Sequence, residues 1–314
     1  MPANYSLSDP FKFPPPDPGL AGLADRNLIF KVGGDQAGRR LDQFTAAATG
    51  LSRGLVRSLI DFGSVWVRGK VCRQQSRELQ PGDWVTIQVP AYGPVRFYEA
   101  DPARILYEDD QLLAYDKEAG LPCQQTPYDG YNHLYAALQR RKGGYLALHH
   151  RLDRLTSGVM VFALSRRANG PLSRQFREGL VNKVYLAVVQ GRPPQDQWQE
   201  DRPIAKLAGR YCCPPDRQGK SARSEFQVLA RGPDRSLVQA RPLTGRTHQL
   251  RLHLTAAGHP IVGDQTYGGP PAGRLMLHAR SLTLEHPRTG EPLIIQAPIP
   301  PGFSTASLKD DQIL

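Results

Sequence analysis

The chain has 314 residues, 40% of them apolar, which is ample for one large domain with a core of its own and a second, smaller one. Lys and Arg number 40 against 29 Asp and Glu, and the formal charge of +11 favours a polyanionic partner, either nucleic acid or an anionic membrane surface. There is no apolar run of about 18 residues and no basic-then-apolar secretion signal. The four cysteines (Cys72, Cys123, Cys212 and Cys213) contain no Cys-x-x-Cys pair, so transmembrane, secreted, disulfide-framed and zinc-dependent proteins are all disfavoured. The expectation is a soluble cytoplasmic monomer with reduced thiols, no bound metal and no cofactor.

Residues 1–35 include Phe11-Lys12-Phe13-Pro14-Pro15-Pro16, too rich in proline for a helix, and are expected to form a flexible arm. From residue 36 to 92 the pattern is regular. Leu41, Phe44 and Ala48 recur at helical spacing up to Gly50. Ser52 is placed as the N-cap of a second helix that buries Leu55, Val56, Leu59 and Ile60 and stops at Gly63. Val65 and Val67, the Gly69-Lys70 turn, and Val85, Ile87 and Val89 after Pro81-Gly82-Asp83 then predict a hairpin. Arg53 and Arg57 lie four apart on the second helix and, with Lys70 and Arg73, are spaced to track phosphates, although the same spacing describes any solvated basic face. Pro90-Ala91-Tyr92-Gly93-Pro94 is the expected linker to a domain covering 93–314.

In that larger domain Ile105–Lys117 predicts strand, acidic turn and strand. The stretch that organises the rest is His149-His150-Arg151-Leu152-Asp153-Arg154-Leu155-Thr156-Ser157-Gly158, followed by the apolar run Val159–Leu164. The apolar half has the length and β-branching of a buried strand, so the polar half is a loop at a sheet edge. Asp153, flanked by Arg151 and Arg154, is held ionised there and suited to attack or to accept a proton. Alone, this charge pattern would describe a solvated turn. Leu172, Phe176 and Leu180 predict a short helix, and Lys183–Val189 a strand in which Tyr185, taken alone, reads as a packed core tyrosine. Residues 192–223 predict loops with weak strands. Leu250 and Leu254 share a helical face up to Gly258, which places Arg246 at or just before the first turn of a basic helix.

Taken together, His-Arg-Leu-Asp-Arg with Thr156-Ser157-Gly158, Lys183-x-Tyr185-x-Ala187-x-Val189, and Thr244-Gly245-Arg246-x-His248-Gln249 resemble, in order, the motifs of the RluA-type pseudouridine synthases. His259–Asp264, Tyr267-Gly268 and Leu277-His278-Ala279 continue the resemblance. Lys117-Glu118-Ala119-Gly120 departs from it, with Glu118 where the family has proline. Arg40-Leu41-Asp42, Leu51-Ser52-Arg53, Ile60-Asp61-Phe62-Gly63-Ser64-Val65 and Pro81-Gly82-Asp83 resemble the small RNA-binding module of a ribosomal protein, with Arg68 where that module usually has Asn.

The resemblance implies an α+β fold with a mixed, largely antiparallel central sheet, preceded by a helix-helix-hairpin RNA-binding domain. It implies isomerisation of uridine in structured RNA, with ribosomal RNA favoured and transfer RNA second. Asp153 would be the catalytic residue, Arg246 its partner and Tyr185 the ring that stacks on the base. The basic residues expected to contact RNA around this site are Arg151, Arg154, Lys183, His248 and Arg251. Three roles stay open for Asp153: attack on the sugar, attack on the ring, and removal of a ribose proton. Two rival functions remain, an RNA-binding assembly factor without catalysis and a base-releasing glycosidase; the latter is disfavoured because no second carboxylate accompanies Asp153.

Overall fold

The computed structural model describes residues 17–303 apart from 21, 24, 25, 91, 127, 128, 215 and 217, so Phe11 and Phe13 lie outside the described residues. The chain clusters into two units. One comprises residues up to Ala100 together with Gln124–Arg141, the other Asp101–Cys123 together with Lys142–Leu314.

In the first unit, β1 (Asn27–Lys31) is followed by α1 (Leu41–Thr49), α2 (Arg53–Phe62), β2 (Val65–Val67), β3 (Lys70–Val71) and β4 (Trp84–Gln88). The strands form an antiparallel sheet in the order β1-β4-β2-β3. Local chemistry sets the ends of α2: the Ser52 side chain accepts from the Leu55 amide, and Gly63 closes the helix at φ 92°. Val56, Leu59 and Ile60 then bury against Leu41, Phe44 and the sheet residues Val65, Val67, Val85 and Ile87.

Part of the expected flexible arm is ordered. Leu20 is fully buried in this core, and β1 pairs along its whole length with β4. Only Leu28 and Phe30 of β1 turn inward while Ile29 stays exposed, an edge-strand pattern too short to stand out beside the proline-rich segment. The expected linker is also built into the unit. The Tyr92 hydroxyl donates to buried Asp129 at 2.7 Å, and Asn132 accepts from the Phe97 and Tyr98 amides at 2.9 and 3.1 Å. Those side-chain bonds bring 93–100 and 124–141 into the first unit.

The second unit begins with β5 (Ile105–Glu108) and β6 (Leu112–Lys117). After α3 (Leu134–Lys142), nearly all of which belongs to the first unit, come β7 (Ala147–Leu148), β8 (Ser157–Ala163), α4 (Arg166–Glu178), β9 (Asn182–Gln190) and β10 (Gln197–Glu200). The hairpin β11 (Ala205–Leu207) and β12 (Arg210–Cys212), then β13 (Ser224–Arg231), β14 (Arg235–Pro242), α5 (Gln249–Ala256), β15 (Leu277–Glu285) and β16 (Pro292–Gln296) complete it. The main sheet runs β10-β13-β14-β9-β15-β8-β6-β5, with β16 on β15 and β7 on β8, and only the β15–β8 pairing is parallel. This is the mixed, largely antiparallel α+β architecture that the sequence resemblance implied.

All seven residues of β8 are buried. Its pairing with β15 depends on Gly158 (φ 112°), where a Cβ would come within 2.2 Å of the Ala279 carbonyl oxygen. The helix expected around Leu172 to Leu180 is longer and starts earlier. Ser165 caps it, Gly179 ends it, and Leu180 lies beyond it, 58% exposed. Its polar first half and internal Pro171 carry no apolar periodicity, so the sequence pattern reveals only its second half.

Candidate active site

The polar loop before β8 is anchored from several sides. The His150 imidazole accepts from the Val161 amide at 3.0 Å and stacks on Phe176 with centroids 4.6 Å apart. Burial, with the nearby charges of Lys183 and His149, drives this histidine down to about 3, so it stays neutral and keeps its acceptor lone pair. Cys123 Sγ bonds both the amide and the carbonyl of Leu152. The Thr156 amide donates to the Asp153 carbonyl at 3.0 Å and closes the turn that leads into β8.

Lys117, at the end of β6, is fully buried. Its ammonium donates to the carbonyls of Glu118, Leu121 and Arg154 at 2.7, 2.8 and 3.1 Å, and the Gly120 amide joins it on the Arg154 carbonyl at 2.8 Å. One buried amine therefore ties the loop after β6 to the peptide that follows Asp153. Burial pulls this amine down to about 8, with the negative character of Cys123, Glu118 and Asp153 resisting. Glu118, the residue in place of the family's proline, pairs with Arg104 at 3.2 Å, and Arg104 also holds Asp116 at 2.9 Å. An ion pair thus supports the loop at a position where the family uses a ring.

The Asp153 side chain keeps 26% of its surface exposed and faces residues of α5. Arg251 Nη1 stands 3.5 Å from one carboxylate oxygen, and His248 Nε2 stands 3.9 Å from the other. Arg251 is only 4% exposed. It forms a fork with Asp264, Nε and Nη2 each donating over 2.7 Å, and its guanidinium lies 4.9 Å from the Tyr267 ring centroid. Burial opposes the Arg251 charge, but the Asp264 hydrogen bonds together with Asp264 and Asp153 outweigh it and raise the group above its ordinary value. Asp264 reaches this position through a turn at Gly263 (φ 82°), where a Cβ would meet the Arg274 carbonyl at 1.9 Å. Across the loop, burial chiefly, then the charges of Asp153 and Cys123, push the Tyr185 phenol upward and keep it protonated. Tyr185 lies on β9, opposite Ala240 on β14 and Ala279 on β15.

The structure thus brings Asp153, His248 and Arg251 together and sets Tyr185 within electrostatic reach of Asp153. It does not pair Arg246 with Asp153. Arg246 is exposed on the loop before α5, and its Nε donates to the Ser221 carbonyl at 2.8 Å. Arg251, expected on RNA, is instead the guanidinium at Asp153, because it sits on the inward face of α5 with Asp264 to hold it.

Among the other basic residues, Arg53 and Arg57 both bind the fully buried Asp42 carboxylate, at 3.2 and 3.1 Å, together with Arg40 at 3.0 Å. Arg73 donates to the Asp61 carbonyl and to Gln125, and Lys70 and Arg151 are exposed. Lys183 lies half-buried over Phe176, and the Arg154 carbonyl is one of the loop anchors. Lys117, Asp264 and Tyr267 join the site without a local sequence signal of their own. A buried lysine has no signature in periodicity, and Asp264 and Tyr267 were visible only as parts of a motif. Among the described residues no group of three or more His, Cys, Asp or Glu side chains is arranged to hold a metal ion.

A family model described as RNA pseudouridylate synthase matches residues 111–256. The chain is 34% identical over 300 residues to a Haemophilus ducreyi protein named ribosomal large subunit pseudouridine synthase C, covering 86% of this chain and 92% of that one. It is 42% identical over 210 residues to a Haemophilus influenzae protein named dual-specificity RNA pseudouridine synthase RluA, covering 62% of this chain and 91% of that one. Among solved structures, human RNA pseudouridylate synthase domain containing 1 superposes with a TM-score of 0.55 at 29% identity, over 67% of this chain and 89% of that one.

Proposed function

This chain belongs to the RluA family of RNA pseudouridine synthases, and on that premise we propose that Asp153 is its catalytic carboxylate, oriented by Arg251, with Tyr185 stacking on the uracil. The enzyme is an isomerase: it breaks the bond between ribose and the uracil nitrogen, turns the base and rejoins it through carbon five. The observation that carries the assignment is the setting of Asp153. It is a partly exposed carboxylate on an anchored loop, with one oxygen facing a buried guanidinium that is itself fixed by Asp264. A guanidinium so held limits the rotation of the carboxylate and fixes its orientation. The protonated phenol and apolar ring of Tyr185 suit it to lie against a base taken out of its stack.

For the substrate we favour large-subunit ribosomal RNA, in line with the name of the 34%-identical relative, and place transfer RNA second, since the relative named dual-specificity matches at 42%. The +11 charge supports phosphate binding without selecting a sequence. Arg53, Arg57, Lys70 and Arg73 on the first unit, and Arg151, Arg154, Lys183 and Arg246 on the second, are the proposed phosphate contacts. The enzyme is proposed to act in the cytoplasm as a monomer; no described helix is long and apolar enough to cross a membrane. The test maps pseudouridine across total RNA from cells carrying no copy of the gene, the wild-type gene, or Asp153→Asn. The expected result is a set of uridines modified only by the wild type, with RNA affinity retained by the variant. Modification by Asp153→Asn would refute the assignment.

A further inference from the structure

His248 has a left-handed backbone (φ 57°, ψ 21°) and is one of three non-glycine residues with positive φ among those described. The other two, Arg68 and Ala208, each precede a glycine in a tight hairpin turn, where that conformation is ordinary. His248 is in no hairpin. It stands immediately before α5, at a non-hairpin position where a left-handed residue is uncommon, and its ring has three neighbours. Nδ1 lies 2.6 Å from the Tyr267 hydroxyl, Nε2 lies 3.9 Å from Asp153, and the Tyr211 ring approaches edge-on with centroids 5.7 Å apart.

Two independent features select one tautomer. Burial pushes the Tyr267 phenol up to about 12; Arg251 opposes that shift, while Asp264 and Asp153 add to it, so the hydroxyl keeps its proton. Among the described residues that proton has no acceptor but Nδ1. The Asp153 charge beside Nε2 favours the imidazole proton there. Burial also lowers His248; Asp153 and Asp264 resist and Arg251 assists, so the ring is neutral at pH 7. The Nε2–H therefore points into the space beside Asp153, too far from the carboxylate to be consumed by a hydrogen bond to it.

We propose that this Nε2–H of His248 is a catalytic hydrogen-bond donor to the uracil carbonyl oxygen that gains negative charge as the base is detached, and that Tyr267 is the positioning residue that fixes its tautomer. The inference rests on the assignment of Asp153. When the bond from ribose to the ring nitrogen breaks, its electron pair passes into the ring and spreads over that nitrogen and the carbonyl oxygens. His248 stabilises this charge without giving up its proton. Attachment through carbon five then draws on the ring's electrons; carbon five releases its proton to solvent and the ring nitrogen takes one up, so the step balances as an isomerisation. A neutral donor suits a transient anion, because it lowers the barrier without neutralising the nucleophilic base.

The test uses full-length protein and [5-3H]uridine-labelled RNA from cells lacking the gene, with tritium release followed in single turnover at saturating enzyme. His248→Ala should slow release about a hundredfold with RNA affinity nearly unchanged, and His248→Gln, which keeps an N–H donor, should recover about tenfold of that. In 15N-histidine spectra the wild type should show the proton on Nε2, and Tyr267→Phe should shift population to Nδ1 and slow release. Wild-type release by His248→Ala, a defect confined to RNA affinity, or a wild-type proton on Nδ1 would each overturn the proposal. Asp153→Asn in the same assay tests the underlying assignment separately: if that variant releases tritium, the reading of Asp153 fails whatever the histidine variants do.

Discussion

Lys117 and Arg251 show how the site uses buried charge. The Lys117 ammonium, pulled down to about 8, is charged below that value and loses its proton as pH rises through it, which weakens the hold on the Arg154 carbonyl. Turnover is accordingly expected to fall on the alkaline side with a midpoint near pH 8. Lys117→Met should be slow at every pH and lack that limb in a pH–rate profile. Arg251 has a different liability. Removing it as Arg251→Met leaves Asp264, 1% exposed, without its counter-ion. The expected cost is about 3–5 kcal/mol by urea denaturation. Adding Asp264→Asn should return part of that loss, because the partners are in contact and their effects do not add. A full additive loss in the double variant would show that the fork is not what stabilises the pair.

Among the elements, those whose ends are set by neighbouring residues were legible from sequence, and those set by distant contacts were not. The α2 helix, with Ser52 at its start and Gly63 at its end, is of the first kind, and so is the fully buried β8. The β1 strand is of the second kind, an edge strand stabilised by pairing with residues more than fifty positions away; α4 is capped locally by Ser165 and Gly179, but Pro171 and a polar first half leave only its second half legible. Gly158 tests whether the parallel β8–β15 pairing sets the position of the loop before it. Gly158→Ala forces a Cβ against the Ala279 carbonyl in a left-handed conformation, and is expected to cost about 3 kcal/mol or more in thermal or chemical unfolding. A loss under 1 kcal/mol would mean that β15 yields easily at this point.

Across the whole molecule, two bulk properties follow from charge and burial. The excess of basic residues predicts RNA binding that weakens steeply with salt, by about a thousandfold between 50 and 200 mM if six or more phosphates are engaged, as read from the slope of log affinity against log salt. Acid should destabilise the fold. His278 is fully buried, and burial, followed by the charges of Arg274 and Arg280, lowers it to about 4. The unfolded chain therefore binds this proton from about pH 6.5 downward while the folded chain does not, so stability present above pH 6.5 is lost as pH falls. For His278 alone the loss at pH 4.5 is about 2 kcal/mol, measurable as a drop in unfolding midpoint between pH 7 and 4.5.

The sequence by itself determined the family, the α+β class and the ends of α2, and it singled out Asp153 as the candidate carboxylate. These rest on motif order, on spacing and on residues that act on near neighbours. It could not determine which arginine meets Asp153. Arg246 and Arg251 stand five positions apart, and the choice falls to Arg251 because α5 packs that face inward over Asp264, while Arg246 stays on the exposed loop before the helix. Nor could it show that Lys117 grips the Arg154 carbonyl or that Tyr267 bonds His248. Arg251 and Asp153 are 98 positions apart, and contacts at such range are set by how sheet and helix pack, to which local periodicity is blind.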